Sequence, residues 1–257
     1  MPFTFFAHQA FVVPLKLARP RAFDGTALCI GSMAPDLAYA FVGTPLQFNS
    51  HTWQAQLLWT VPISLAITRL IRDSIADPVG AHLPAPLGPE VRALSLSRHS
   101  LRTSVLSALV GGLSHVFVDG FTHWDGWAAR RIEWLRHGFV FESGHYLSMS
   151  RLLQYLGHTL GTAIGFAMLA YLVARHCVTR WNLPARVPAA QPVVPRFWFP
   201  FVLSAFVSLP LGLASVAALG GGLSPALIRA ACVAFAGLWL SARAAVDPRL
   251  PGERASS

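Results

Sequence analysis

The chain has 257 residues, of which 54% are hydrophobic and only 12% are charged, and its mean hydropathy is +0.50. Soluble globular proteins carry about 25% charged residues, so this composition excludes an ordinary water-exposed surface around a core of this size. The net charge of +9 comes almost wholly from arginine. No compact basic patch alternates with exposed aromatic residues, so we expect no nucleic-acid partner and assign the arginines to loops near anionic lipid. The composition therefore predicts an all-α, polytopic membrane protein whose main partner is the lipid bilayer.

The N-terminal 50 residues are apolar but are interrupted by five prolines. The first 20 residues do not have the order of a signal peptide, because their basic residues follow the apolar stretch. The run 26–34 (TALCIGSMA) is too short to cross a bilayer, which takes about 20 apolar residues. It predicts a buried or re-entrant helical segment that ends at Pro35 and Asp36.

Further stretches are long and apolar enough to predict about five transmembrane helices. They are 53–71, 103–122, 155–174, 198–219 and 226–246. The distribution of arginine between the connecting segments favours a cytoplasmic C-terminus and an outward-facing N-terminus.

The remaining segments complete a predicted domain organisation. We expect polar loops at 73–98, which holds four prolines, and at 176–197, and a disordered tail at 247–257. Residues 1–175 then form a membrane domain that carries the candidate site, and 198–246 form a C-terminal helix pair.

The sequence GLSHVFVDGFTH places His115, Asp119 and His123 four residues apart within the second predicted span. On a helix these side chains lie on one face, each one turn above the last. Such a stripe of imidazole and carboxylate groups can bind one or two divalent cations. An ionised aspartate in an apolar helix is costly without a partner, and a cation would supply one.

Other ligand-type residues fall at the same ends of the predicted spans. His51 opens the first span, and QYLGH places Gln154 and His158 at the start of the third. If the second and third spans are antiparallel neighbours, these residues reach one membrane surface. The sequence therefore predicts a shared divalent-metal site, with zinc as the expected ion. Its candidate ligands are His8, Asp36, His51, His115, Asp119, His123 and His158.

Two non-enzymatic interpretations use the same residues. They could form a closed, fully paired polar network in a membrane scaffold, since polar contacts between packed helices need the same side chains. Alternatively, His115 and Asp119 could be a proton relay in a transporter. A transporter needs a polar path through the last two predicted spans, and their few polar residues argue against it. These residues are Ser204, Ser208, Ser215, Arg229 and Ser241.

Four motifs, MPFTFFAHQA, IGSMAPDLAY, GLSHVFVDGFTH and LLQYLGH, resemble DUF4184, a bacterial integral-membrane family of unknown function. The resemblance covers roughly residues 1–175. It implies a multi-pass protein of the bacterial cytoplasmic (inner) membrane and brings no established activity.

A more distant likeness concerns chemistry. Membrane-bound metal-dependent hydrolases of the YdjM type have an early histidine, a Pro-Asp, a histidine before a hydrophobic helix and an HxxxD pair. The zinc-dependent phospholipase C and nuclease fold orders its ligands similarly. Carried over by position, the likeness implies ligands at His8, Asp36, His51, His115, Asp119 and His123. Gln154 and His158 stand where that fold has an HxxxE pair, so the likeness implies a one- or two-metal site rather than three metals.

The sequence hypothesis is therefore a membrane-embedded, metal-dependent hydrolase. A bound cation would activate the attacking water, and Asp36 or Asp119 would bridge metals or act as the catalytic base. Phosphoesters, especially lipid head groups, are the expected substrate class because the site would lie at head-group depth. This substrate expectation rests on analogy.

Overall fold

The computed structural model of the protein describes residues 4–144, 146–182 and 194–246. The predicted tail at 247–257 and half of the predicted loop at 176–197, residues 183–193, lie outside these ranges. Within them, the chain forms twelve α-helices and one short β-hairpin. The all-α class predicted from composition is confirmed.

The helices have the following bounds. They are α1 Thr4–Ala18, α2 Gly25–Gly31, α3 Ala34–Leu37, α4 Trp53–Ala55, α5 Val61–Leu70, α6 Ala76–His82, α7 Leu87–Ala93, α8 Leu101–Thr122, α9 Met149–Ala174, α10 Cys177–Trp181, α11 Pro195–Leu219 and α12 Leu223–Ala245. Short 3-10 turns lie at Ala38–Phe41, Leu94–Leu96 and Glu133–Leu135, and wider π-helical turns lie at Gln56–Thr60 and Ile71–Ile75. The hairpin pairs β1 Gly138–Val140 with β2 Tyr146–Ser148 in antiparallel register, Phe139 opposite Leu147.

Four of the described helices, α8, α9, α11 and α12, are long and apolar enough to cross a membrane. They correspond to the predicted spans 103–122, 155–174, 198–219 and 226–246. Their presence confirms a polytopic α-helical membrane protein.

The predicted span 53–71 differs from these four, because it is built from α4, a π-helical turn and α5. Its buried face is polar, with Gln56, Thr60, Ser64 and Thr68 all buried at four-residue spacing. The apolar residues that suggested a span therefore occupy only part of its circumference. The segment contributes a polar face to the protein interior.

The prediction of a polar loop at 73–98 is wrong, because α6 and α7 occupy much of it. Pro89 is the third residue of α7, where the N–H groups of the first turn have no partner within the helix, so proline costs little there. Pro78 lies three residues after the π-helical turn Ile71–Ile75, which joins α5 to α6 without a break.

The chain forms two compact units, residues 1–68 with 99–172, and residues 69–98 with 173–257. In the first unit, α2 crosses α8 at backbone contact. A Cβ on Gly111 would lie 2.3 Å from the carbonyl oxygen of Leu28, and one on Gly31 would lie 2.3 Å from that of Ala108. Only glycine allows this approach, and it brings the C-terminal end of α2 against the middle of α8.

Asp24 fixes α2 against α8 through hydrogen bonds. Its side chain accepts from the backbone N–H of Ala27, as an N-cap does, and from the hydroxyl of Ser104. Its own backbone N–H donates to the hydroxyl of Ser107 over 2.9 Å. The carboxylate is fully buried and joins a helix start to its neighbour.

The helix α1 packs against α9 through two further glycines. A Cβ on Gly165 would lie 2.4 Å from the carbonyl oxygen of Phe6, and one on Gly161 would lie 3.1 Å from the Cβ of Ala7. The rings of Phe6 and Phe166 stack at 4.4 Å. This contact places the next residue of α1, His8, in the protein interior.

The second unit has a core of its own, formed by Ile75, Val79, Phe197, Ala242 and Ala245. Beside this core, the buried carboxylate of Glu90 accepts from the first backbone N–H groups of α10, those of Val178 and Thr179. A carboxylate at a helix start is favourable because it satisfies these donors.

Candidate metal centre

Four side chains of the first unit converge at the end of α8. Asp36, His51, His115 and Asp119 each present one ligand atom, and these atoms all lie within 4.8 Å of one another. The side chains come from α3, from the turn before α4, and from α8. Their exposed fractions are 7% for Asp36, 0% for His115, 15% for Asp119 and 23% for His51. The group is therefore nearly enclosed, with one partly open side at His51 and Asp119.

The hydrogen bonds of the two histidines determine which ring nitrogen faces the centre. Nδ1 of His115 is 2.8 Å from the carbonyl oxygen of Ser32, which can only accept. Nδ1 of His51 is 3.2 Å from the hydroxyl of Ser50, and that hydroxyl donates its own hydrogen to the carbonyl of Pro35. Both Nδ1 atoms must therefore carry the proton, which leaves both Nε2 atoms as acceptors or ligands.

The Nε2 atoms point at each other and at the carboxylates. The Nε2 atoms of His51 and His115 are 3.2 Å apart. Oδ1 of Asp36 is 3.5 Å from both nitrogens, and Oδ2 of Asp119 is 3.4 Å from that of His51 and 3.3 Å from that of His115. Lone pairs facing one another at these distances require a positive charge between them, supplied by protons or by a metal ion. This group could hold a metal ion.

The electrostatics of the centre favour that positive charge. Burial alone would raise the pKa of Asp36, but the charge of His115 and its hydrogen bonds with His115 and His51 hold it well below its usual range. Burial would lower the pKa of His51, but hydrogen bonds to the carboxylates of Asp119 and Asp36 outweigh it and raise the pKa above its ordinary value. Two nearly buried carboxylates without a counter-charge would be strongly destabilising.

His8 lies against the second oxygen of Asp119, outside the group of four. Its Nε2 is 3.7 Å from Oδ1 of Asp119, and its ring stacks on that of His115 at 3.9 Å. Burial, followed by the charge of His115, lowers the pKa of His8 to about 3. His8 is therefore a neutral neighbour of the centre at neutral pH.

His123 is held beside the centre through hydrogen bonds. Its Nδ1 is 3.7 Å from Oδ2 of Asp119 and 3.3 Å from the backbone oxygen of that residue. Its Nε2 is 2.8 Å from the side-chain nitrogen of Gln154, and the oxygen of Gln154 accepts from Arg151. Both ring nitrogens of His123 have protein neighbours, so its position suits support of Asp119. Gln154, which departs from the ligand pattern of the distant likeness, thus contacts His123.

His158 is half-buried on α9 and does not join the group of four. Its Nδ1 is buried and has no hydrogen-bond partner within the described ranges. Of the seven predicted ligands, the structure brings four together and places His8 and His123 next to them. His158 lies outside the group of four.

The family model described as "Domain of unknown function (DUF4184)" matches residues 1–244 of the chain. The chain belongs to the DUF4184 family. The resemblance seen in the motifs of residues 1–175 is confirmed, and the match extends through α11 and nearly all of α12. No curated protein and no solved structure matches the chain.

Three residues that hold the centre of this DUF4184 protein escape prediction from sequence. They are Ser32, whose carbonyl orients His115, Ser50, whose hydroxyl orients His51, and Gln56, whose side-chain nitrogen donates to the carbonyl of Ser50 over 2.9 Å. Ser32 acts through its backbone carbonyl, which no residue type reveals, and Gln56 acts on the backbone of Ser50. Ser50 carries one signal, since it directly precedes a candidate histidine.

Replacing Ser50 with alanine is expected to weaken zinc binding by about 10- to 100-fold, the usual effect of losing a hydrogen bond that orients a ligand. The variant leaves Nδ1 of His51 without its acceptor and frees the carbonyl of Pro35, next to Asp36. Competition titration with a zinc indicator measures the change. Ser143→Ala, at an exposed residue between β1 and β2, is the matched control and should bind zinc like the native protein. Equal affinity of both variants would contradict the orienting role of Ser50.

Proposed function

We propose that Asp36, His51, His115 and Asp119 bind a divalent cation, best fitted by zinc, in a membrane-embedded hydrolase. The observation that supports a metal ion is a set of five distances between the ligand atoms, which run from 3.2 to 3.5 Å. Hydrogen bonds between a charged histidine and a carboxylate are about 2.7–2.9 Å long. A tetrahedron with metal–ligand bonds of about 2.0–2.2 Å has edges of about 3.3–3.6 Å. Five of the six distances are close to these edges, and all five are longer than the usual charge-assisted hydrogen bond. The sixth, between the carboxylates of Asp36 and Asp119, is at most 4.8 Å.

The ligand types support zinc and a chemical role for it. Two imidazoles and two carboxylates in tetrahedral array suit zinc, whereas magnesium and calcium prefer six or more oxygen ligands. Structural zinc sites are mostly built from cysteine, while catalytic sites combine histidine with carboxylate. Four protein ligands fill a tetrahedral site, so catalysis would require the ion to take a fifth ligand or Asp119 to leave its position. The ion would then supply Lewis acidity that polarises an ester and lowers the pKa of water.

Asp119 is the residue best placed to act as the general base. Its Oδ2 faces His51 and His115, and its Oδ1 faces His8. It can therefore bind the cation with one oxygen and hold a proton at the other, beside a neutral imidazole. Asp36 is more deeply buried and approaches the histidines through a single oxygen, which suits a ligand and less a base.

The depth of the centre supports lipid head-group esters as substrates. Asp119 lies one turn before α8 ends at Thr122, and α8 is long and apolar enough to cross the membrane. Its end therefore lies near the head-group layer, where phosphoesters of lipids are found. The partly open side of the centre, at His51 and Asp119, would admit such a group.

A hydrolysis assay with defined metal content tests this proposal. Purified protein in lipid nanodiscs, stripped by chelator and reloaded with zinc, should release head groups from a phospholipid substrate only in the zinc form. Asp119→Asn, assayed at a zinc content equal to that of the native protein, should lose at least about 100-fold in rate, the typical contribution of a general base. Zinc-loaded native protein that hydrolyses no phosphoester would overturn the hydrolase proposal and support a structural metal site. A protein that never retains zinc would overturn both.

A further inference from the structure

The loop between α8 and α9, residues 123–148, exposes an unusual number of large apolar side chains. We call it the hairpin loop, since it contains β1 and β2. Six of these side chains are between 45% and 73% exposed. They are Trp124, Trp134, Phe139, Val140, Phe141 and Tyr146. Apolar groups this concentrated are rare on a surface that faces water, and they mark sites of contact with a partner or a membrane.

The hairpin loop is firmly attached to the end of α8, so its apolar side chains are not exposed through loss of order. Ala128, Ala129 and Leu135 form a buried core with Phe121, Trp127 and Leu153. The backbone N–H groups of Ala128 and Ala129 both donate to the carbonyl of Gly120 over 3.1 Å. At the other end, the N–H of Met149 donates to the carbonyl of His137 over 2.7 Å. The inner side of the loop is packed, and its exposed surface carries the six apolar side chains together with charged ones.

The position of the hairpin loop identifies the membrane as its partner. It connects α8 and α9, both of which can cross the bilayer, so the whole loop lies at one membrane surface. Because Asp119 is one turn from the end of α8, this is also the surface of the candidate metal centre. Tryptophan and tyrosine are concentrated at membrane interfaces, where their rings reach head-group level.

The charges of the hairpin loop are balanced. Its arginines, Arg130, Arg131 and Arg136, are matched by Asp125, Glu133 and Glu142. Net attraction to anionic lipid is therefore not what would hold the loop on the bilayer. Burial of its apolar side chains in the lipid would hold it there, since transfer of apolar surface out of water is favourable.

The loop also begins directly beside the candidate centre. Trp124 directly follows His123, the residue beside Asp119. The ring of Trp124 meets that of Tyr146 edge-on at 6.2 Å, and the guanidinium of Arg136 lies 4.9 Å above the ring of Trp124. A lipid that contacts Trp124 would therefore lie close to the partly open side of the centre.

We propose that the hairpin loop inserts its exposed apolar side chains into the lipid leaflet at the end of α8. The centre would then receive a membrane-resident phospholipid from the bilayer rather than a soluble phosphoester from water. The insertion stands on the loop alone. The choice of substrate rests on the proposed hydrolase function. Two measurements separate these parts.

The first measurement places a fluorescent probe at the tip of the loop. The native cysteines Cys29, Cys177 and Cys232 are replaced with alanine, and Val140→Cys is labelled with an environment-sensitive dye in nanodiscs. Quenching by brominated lipid acyl chains and protection from aqueous iodide are expected. Native Cys232, exposed on α12, labelled with the other two cysteines replaced, provides the lipid-facing reference. Quenching by iodide without quenching by brominated lipid would overturn the insertion.

The second measurement uses the double variant F139S/V140S, which lies outside the candidate centre and should retain full zinc content. Its hydrolysis of a long-chain phospholipid in bilayers is expected to fall at least about tenfold, given the apolar area removed. Its hydrolysis of a short-chain, water-soluble analogue should equal that of the native protein. Equal loss on both substrates, or no loss on either, would overturn delivery from the bilayer. If native protein hydrolyses neither substrate, the proposed function fails while the probe result still decides the insertion.

Discussion

Replacing His115 with alanine is expected to abolish stoichiometric zinc binding, with affinity reduced by more than about 100-fold. This exceeds the 10- to 100-fold loss typical of residues that only orient a ligand. His115 is fully buried, and its Nε2 lies between both carboxylates and the nitrogen of His51. Elemental analysis of the purified, detergent-solubilised protein measures the metal directly. Full zinc occupancy in the variant would show that the centre is not the one assigned.

The controls for this experiment separate loss of a ligand from loss of the fold. The variant also removes a ring that stacks on His8 and leaves the carbonyl of Ser32 without its donor. His51→Ala changes a more exposed ligand with less risk to folding and should also lose the metal. His137→Ala changes an exposed histidine that pairs with exposed Glu133, and it should keep native zinc content. Retention of zinc by His51→Ala would remove that residue from the proposed ligand set.

Replacing Gly111 with alanine is expected to destabilise the protein by about 3 kcal/mol, at the upper end of the range for overpacking. The added Cβ would lie 2.3 Å from the carbonyl oxygen of Leu28 and 2.7 Å from the backbone nitrogen of Ser32. Both neighbours are backbone atoms that cannot rotate away, so α2 must move off α8. Because the carbonyl of Ser32 orients His115, zinc affinity should fall together with stability. Thermal unfolding in detergent, with and without zinc, measures both effects.

A glycine on α9 gives a matched control. A Cβ on Gly157 would meet no atom within 4 Å, so Gly157→Ala should be neutral or stabilising by up to about 1 kcal/mol, since alanine favours helix over glycine. Equal stability of the two variants would mean that α2 and α8 do not cross at backbone contact.

The spacing of residues along a single helix was predictable from the sequence. His115, Asp119 and His123 were expected on one face of a helix, and α8 carries all three to its C-terminal end or just beyond it. Their different environments were not predictable. Asp119 and His115 belong to the group of four, whereas His123 is directed to Gln154 on α9. The partner of each side chain depends on which helix lies opposite, and helical spacing does not contain that information.

The prolines illustrate a second limit. Four of them between residues 73 and 98 suggest a loop, yet Pro89 lies in the first turn of α7 and Pro78 lies in α6, just after a π-helical turn. A proline is compatible with a helix start or with an irregular part of a helix, so its meaning depends on where the helix begins and where its geometry changes. Similarly, the mean hydropathy of 53–71 does not show that one face of this segment is polar, because it averages over all faces.

The sequence by itself determined that lipid surrounds much of this protein, where its four longest apolar helices lie, and which residue types are capable of binding a cation. It did not determine the number of long helices, because it also predicted a span at 53–71. These properties follow from local composition and spacing, which tertiary contacts do not change. Only the tertiary structure decided which four of the seven candidates share a centre. That choice depends on two features. The glycine contact between α2 and α8 brings α3 close to α8, and the Ser50 hydroxyl links His51 to the carbonyl of Pro35. Residues about 80 positions apart in the sequence meet at the centre because helices pack together. A local sequence pattern does not show which helices pack against each other.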